Sequence, residues 1–178
     1  MAIRIFIDQG HNPVNPNAGS EGNGLREQDV VYRIGILLAE RLRANGGYTV
    51  RLSRPTPTTQ LGVSNATARV NDANAWGADW FISLHTTASE NAAASGVETL
   101  CYAQASRGGR MAREIQRGVV AVTGLPDRGV KARPGLYVLR RTTMPAVLCE
   151  LGFITNPGDA ALLSGSPVLF ADGVFAGI

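Results

Sequence analysis

His11 and His85 are the only two histidines in the chain, and each closes an apolar run. Ile3-Arg4-Ile5-Phe6-Ile7 leads through Asp8-Gln9-Gly10 to His11, and Trp80-Phe81-Ile82-Ser83-Leu84 ends on His85. A third run, Ala146-Val147-Leu148-Cys149, ends on Glu150, a carboxylate among apolar neighbours that is costly to bury without a partner. Glu27 stands at the head of an amphipathic segment and makes a fourth candidate. Two imidazoles, a carboxylate and an open position are the donor set of a catalytic zinc, with Zn–N bonds of about 2.0 Å and a water whose pKa falls to about 7. In this reading His11, Glu27 and His85 hold one Zn²⁺. Glu150 takes a proton from the attacking water and later hands it to a leaving amine.

Each residue also has a plainer reading. A histidine after a strand is often a loop residue with a local hydrogen bond, and a first-turn glutamate such as Glu27 is favoured by the helix dipole alone. Asp8 either orients His11 as an acceptor or caps a turn. Cys149 is a conceivable nucleophile, but no basic neighbour in sequence lowers its pKa, which favours a core thiol. Glu150 resists such an account best, because a carboxylate inside VLCELGF interrupts an otherwise apolar strand. The ligands are scattered, and neither HExxH nor its reverse occurs, so spacing alone does not define the site.

The elements that must position these groups follow from periodicity. Ile3 to Ile7 reads as a strand, and the apolar steps from Arg26 to Asn45 (Val30, Val31, Ile34, Leu37, Leu38, Leu42) as a core-facing helix stopped by Gly46-Gly47. Next come a strand over Tyr48 to Arg54, a Pro/Thr-rich loop, and a helix over Asn65 to Trp76 that Ser64 can cap. Strands over Asp79 to His85 and Val97 to Tyr102 and a helix over Arg107 to Val122 follow. Gly124 to Gly135 reads as a surface loop, Leu136 to Leu139 and Ala146 to Leu151 as strands, and Asn156-Pro157-Gly158 as the start of a short helical region. Alternating strands and helices predict one α/β domain over residues 1–178, its mostly parallel sheet covered on both faces. In open sheets of this kind, loops beyond the strand carboxyl ends form the ligand crevice, so His11, His85 and Glu150 are expected to share one edge.

Composition narrows the class. The 178 residues are 44% hydrophobic and 17% charged, which excludes general disorder, and no apolar run reaches the roughly 20 residues of a membrane helix. Met1 leads straight into β-branched residues with no secretory signal pattern, although action outside the cell would require an export route. The net charge of +3 is scattered along the chain, and aromatics are 6%, so nucleic acid is not the expected partner. Cys101 and Cys149 are the only cysteines, which excludes a disulfide scaffold and leaves one bridge open.

Six segments occur in a familiar order: IDQGHN at 7–12, LREQDV at 25–30, FISLHTTAS at 81–89, GVETL at 96–100, DRGVKARPGLYVLR at 127–140 and VLCELGFITNPGD ending at Asp159. Together they resemble the zinc-dependent N-acetylmuramoyl-L-alanine amidases of the amidase 3 type, and the likeness runs over nearly the whole chain. The resemblance implies a six-stranded, mostly parallel sheet between helices, His11, Glu27 and His85 as zinc ligands, and Glu150 as acid/base. It implies peptidoglycan as substrate and action at the cell wall or outside the cell, by an autolysin or an endolysin. The chain departs from the family pattern at His85-Thr86-Thr87-Ala88, where a hydroxyl at Thr87 replaces an amide. It departs also at Asn12, which stands in place of a glycine-rich continuation, and after Arg54, where an acid is absent. These departures bear on substrate contacts and leave two rivals: a zinc peptidase on a related muropeptide, and a non-hydrolytic wall-binding module with a vestigial site. The stretch between Thr86 and Gly96 is too short for an autoinhibitory helix, which predicts an open groove.

Overall fold

The computed structural model describes residues 2–178, so the reading at Met1 lies outside the described residues. Its elements are β1 (Ile3–Gln9), β2 (Glu21–Gly22), β3 (Leu25–Arg26), α1 (Glu27–Asn45), β4 (Tyr48–Leu52), α2 (Asn65–Trp76), β5 (Trp80–Thr87) and β6 (Val97–Cys101). They continue with α3 (Arg107–Thr123), β7 (Asp127–Ala132), α4 (Tyr137–Arg141), β8 (Ala146–Phe153), α5 (Pro157–Gly165) and α6 (Pro167–Ala176). Six strands form one sheet in the order β4-β1-β5-β8-β6-β7, and β6 against β8 is its one antiparallel pairing. The expected fold class holds. No single helix among the described residues is long and apolar enough to cross a membrane.

Strand alternation sorts the sheet into two cores. Ile5, Ile7, Ile82, Leu84, Val147, Cys149 and Leu151 pack under α1, α3 and α6, while Phe6, Phe81, Ala146 and Leu148 pack against α2 and α4 on the other face. Each fully buried aliphatic or aromatic side chain contributes roughly 1.5–3 kcal/mol through water removal. The same period of two carries the second face onward to Asp8, Ser83, His85 and Glu150. The registers Asp8↔Ser83 and His85↔Glu150 then set these polar groups side by side where the apolar side chains stop.

Strand order decides where a ligand can enter. From β1 the chain moves outward to β4, returns over α2, and resumes at β5 on the other side of β1. Carboxyl ends of strands flanking such a reversal splay their loops apart and leave a crevice. His11 follows β1 and His85 lies on β5, so both imidazoles flank that crevice.

Two expected elements are different in kind. Leu136 to Leu139 is not a strand: Leu136 is the N-cap of α4, whose Val138 and Leu139 are buried against α2 and β8. A four-residue apolar run suits either a strand or a buried helical turn, and here the backbone turns after Pro134-Gly135. The stretch expected as a loop contains β7, an edge strand with exposed Asp127 and Arg128, Gly129 at φ 80° and a register shift against β6. Edge strands carry charges and irregularities of this kind to discourage further pairing, which erases the alternation that marks a strand. Ser64 occupies the N-cap of α2 without a side-chain cap bond, and Cys101 and Cys149 are free, buried thiols.

Candidate metal centre and active site

Glu27 is delivered by a short hairpin. Asn23 (φ 51°) and Gly24 (φ 75°) make the turn joining β2 to β3, both with the positive φ that a tight two-residue hairpin needs. Asn23 Nδ2 donates to the Ile154 carbonyl at 2.9 Å, docking the hairpin beside the end of β8. Helix α1 begins at once with Glu27, which is buried. Its carboxylate is fully engaged: Oε2 accepts from Ser20 N at 3.0 Å and Ser20 Oγ at 2.7 Å, and Oε1 accepts from Thr86 N at 2.9 Å. This is not the solvated first-turn acid of the plainer reading.

Both imidazoles converge on the same oxygen. His11 Nε2 lies 3.1 Å and His85 Nδ1 3.2 Å from Glu27 Oε1, and the two rings meet edge to face with centroids 4.9 Å apart. The three potential ligand atoms all lie within 4.8 Å of one another. Donors bound tetrahedrally to zinc at about 2.0–2.1 Å stand about 3.3 Å apart, so this spacing fits one such ion. Burial raises the Glu27 pKa, but the hydrogen bonds and charges of His11 and His85 outweigh it and hold the carboxyl far below its usual range. For His85 burial favours the neutral ring, while Glu27, Glu150 and Asp8 together pull its pKa upward. The side chains of His11 and His85 remain 28% and 20% exposed, which leaves the centre open on one side.

Two glycines form the cradle. A Cβ on Gly10 would lie 2.5 Å from His85 Cε1, and one on Gly19 would lie 2.8 Å from Glu27 Cβ and 2.9 Å from His11 Cδ2. Only a residue without a side chain lets β1 and the hairpin loop approach the three donors this closely. Gly10→Ala is therefore expected to push the His85 ring off its position and, at about 1 Å of misplacement, to lower turnover about 10²-fold. Steady-state rates compared with melting temperature check this: a folded variant with the wild-type rate would show that the ring is not pinned there.

His11 sits past β1 at φ 63°, a left-handed backbone conformation that costs a non-glycine residue about 1–3 kcal/mol unless its surroundings impose it. Asn12 locks the loop that follows. It is fully buried, its Nδ2 donating to Pro16 O at 2.8 Å and Gly62 O at 3.1 Å and its Oδ1 accepting from Leu61 N at 3.0 Å. Asp8 does not accept from the His11 imidazole; its carboxylate pairs with Arg69 and accepts from Ser83 Oγ at 2.7 Å.

Glu150 stands beside this triad without joining it. It is the strand neighbour of His85 on one side and of Glu98 on the other, where Lys131 and Arg128 offset the Glu98 charge. Thr87 Oγ1 donates to Glu150 Oε2 at 3.0 Å, so the hydroxyl at the departure from the family pattern is used to fix the acid. Burial raises the Glu150 pKa against the opposing pull of His85 and Thr87, and the net shift is upward. The Cys149 thiol faces the opposite core, and burial pushes its pKa up, which removes it as a nucleophile.

Beside the triad lies a cleft of about 410 Å³, lined by His11, His85, Asn17, Ala18, Leu136 and Tyr137 among others. No helix occurs between Thr87 and Val97. Sequence reasoning missed Ser20, Thr86, Gly10, Gly19 and the α4 wall. Only the Asn23-Gly24 turn and the glycine at position 10 left a local signal.

The comparisons with known proteins agree with this geometry. A family model described as N-acetylmuramoyl-L-alanine amidase matches residues 5–178. The chain belongs to this amidase family. It is 38% identical over 161 residues to the N-acetylmuramoyl-L-alanine amidase LytC of Bacillus subtilis, covering 89% of this chain and 31% of that protein. It is 34% identical over 166 residues to the amidase CwlM of Bacillus licheniformis, covering 92% of this chain and 62% of that protein. The family domain is thus a part of these longer relatives. Among solved structures, an N-acetylmuramoyl-L-alanine amidase from Clostridium difficile 630 superposes with a TM-score of 0.88 at 30% identity, covering 99% of this chain and 94% of that one. The catalytic domain of CwlV from Bacillus (Paenibacillus) polymyxa also gives 0.88, at 28% identity, covering 98% and 95%.

Proposed function

We propose that residues 1–178 form a zinc-dependent catalytic domain that hydrolyses the amide between the lactyl group of N-acetylmuramic acid and the L-alanine of peptidoglycan stem peptides, at the cell wall or outside the cell. The observation that carries this reading is the meeting of His11, Glu27 and His85 on one side-chain oxygen, beside Glu150, in a member of this amidase family. In it His11 Nε2, His85 Nδ1 and Glu27 Oε1 hold the metal, and Glu150 is the acid/base. Zinc, when bound, is a Lewis acid toward the scissile carbonyl and lowers the pKa of water.

The chain's own groups supply the remainder. Ser20 and Thr86 hold the Glu27 carboxylate in place, so both imidazoles meet a fixed partner. The Glu150 carboxylate, oriented by the Thr87 hydroxyl on its Oε2, takes one proton from the attacking water and delivers one to the departing nitrogen. The C–N bond breaks as the new C–O bond is retained, leaving a lactyl carboxylic acid on the sugar and a free α-amine on L-alanine. The net charge of +3 modestly favours the anionic stem, an attraction that weakens with salt.

Mass spectrometry of digested wall fragments tests the bond. The expected products are peptide-free glycan together with stem peptides bearing free L-alanine amino termini. A new terminus elsewhere in the peptide would establish the muropeptide peptidase instead, and intact wall with bound protein would establish the binding module.

A further inference from the structure

His11 is the one proposed ligand that no regular element carries: β1 ends at Gln9, and the imidazole hangs on a loop residue at φ 63°. Backbone in this region persists only where neighbours impose it. Arg69, on α2 and 58 residues away, reaches that backbone, its Nη2 donating to the His11 carbonyl. Nη1 of the same guanidinium donates to the Gln9 carbonyl at 2.6 Å and to Ser53 Oγ at 3.2 Å, and pairs with Asp8 Oδ1. The two carbonyls flank Gly10, the residue over which the His85 ring lies. The anchor is firm as well: Arg69 and Asp8 are 3% and 1% exposed, and Ser83 on the neighbouring strand donates to the free oxygen of Asp8.

We propose that Arg69 is a positioning residue of the metal centre, its guanidinium holding the Gln9 and His11 carbonyls so that the His11 imidazole already stands beside Glu27 before an ion arrives. The inference rests on the zinc reading above. A planar fork grips two carbonyls and a carboxylate together, whereas a lysine ammonium is a single point on a flexible stem. Arg69 also lines the cleft beside the triad, but in this role it acts on the ion through His11.

Two variants test it without stranding a buried charge. Arg69→Lys keeps a cation for Asp8, and the double change Asp8→Asn with Arg69→Gln removes both charges; each gives up the fork on the His11 carbonyl. The readouts are zinc affinity by competition with a chromophoric chelator, the visible absorption of the cobalt-substituted protein, and the melting temperature of the metal-free protein. The expected result is a variant that melts cooperatively without metal but binds zinc about 10–100-fold more weakly, the usual cost of losing a group that orients a ligand, with an altered cobalt spectrum. Wild-type zinc affinity and cobalt spectrum in either folded variant would overturn the proposal. So would failure of both variants to fold without metal, because Arg69 would then serve the core. Wild-type protein that takes up no zinc would overturn the metal reading itself, and that outcome is read on the unmutated chain alone.

Discussion

Glu150→Gln is expected to lower the rate of stem-peptide release by about 10²–10⁴-fold, the span that a positioned general acid/base contributes, while zinc content stays at the wild-type level. Glutamine keeps an oxygen to accept from Thr87 Oγ1 and is nearly isosteric, so the strand register with His85 and Glu98 is undisturbed. Only proton transfer is lost. The pH profile supplies a second readout. Burial raises the Glu150 carboxyl pKa in the metal-free protein, and an acid limb of wild-type kcat/KM that reports this carboxyl should vanish in the glutamine variant. The stability effect has the opposite sign from the catalytic one. A carboxyl whose folded-state pKa is raised contributes stability at low pH that disappears as pH rises through the raised value. Ionisation of Glu150 thus weakens the metal-free fold, and the metal-free variant should melt at the wild-type temperature or above it. Unimpaired peptide release by Glu150→Gln would remove this residue from the reaction.

The order of the long strands and helices, and the sheet edge that His11, His85 and Glu150 share, were legible from the apolar runs that these residues end, because period-two alternation both builds the sheet and aims those side chains. What was not legible has physical causes. Strand β7 sits at an edge, where charge and a bulge replace alternation, and the apolar stretch at Leu136 to Leu139 is too short to choose between strand and helix. Ser20, Thr86 and Arg69 carry no local mark, since each matters only through a partner distant in sequence or in another element: Glu27 for the first two, the Gln9 and His11 carbonyls for the third. Glu27 is the instructive residue. Its position at a helix start has an adequate electrostatic explanation, and only the fold reveals that its carboxylate is buried between two imidazoles.

Glu27→Gln is expected to abolish turnover and to weaken zinc binding by more than the 10–100-fold that follows loss of a supporting partner, because it removes the charged donor itself. The metal-free protein should still fold. Its two apolar cores lie beneath the site and do not depend on the ion. Chelation of the wild type should therefore stop hydrolysis yet leave a cooperative melt. At a thousandfold excess over Kd the ion contributes about 4.1 kcal/mol, or roughly 8–16 °C for a domain of this size. That gap should depend on pH in a definite sense. In the metal-free protein, the depressed Glu27 pKa gives stability that is present above about 4.5 and lost as pH falls below it. The raised His85 pKa gives stability that is present below about 6.5 and lost as pH climbs through its elevated value. Bound zinc requires the neutral ring, so binding expels that proton and tightens as pH rises. Melting curves with and without chelator should accordingly diverge as pH rises through the elevated His85 range, until that ring is fully neutral. Parallel curves over that interval would mean that no proton leaves His85 when the ion binds, and His85 would cease to be a ligand.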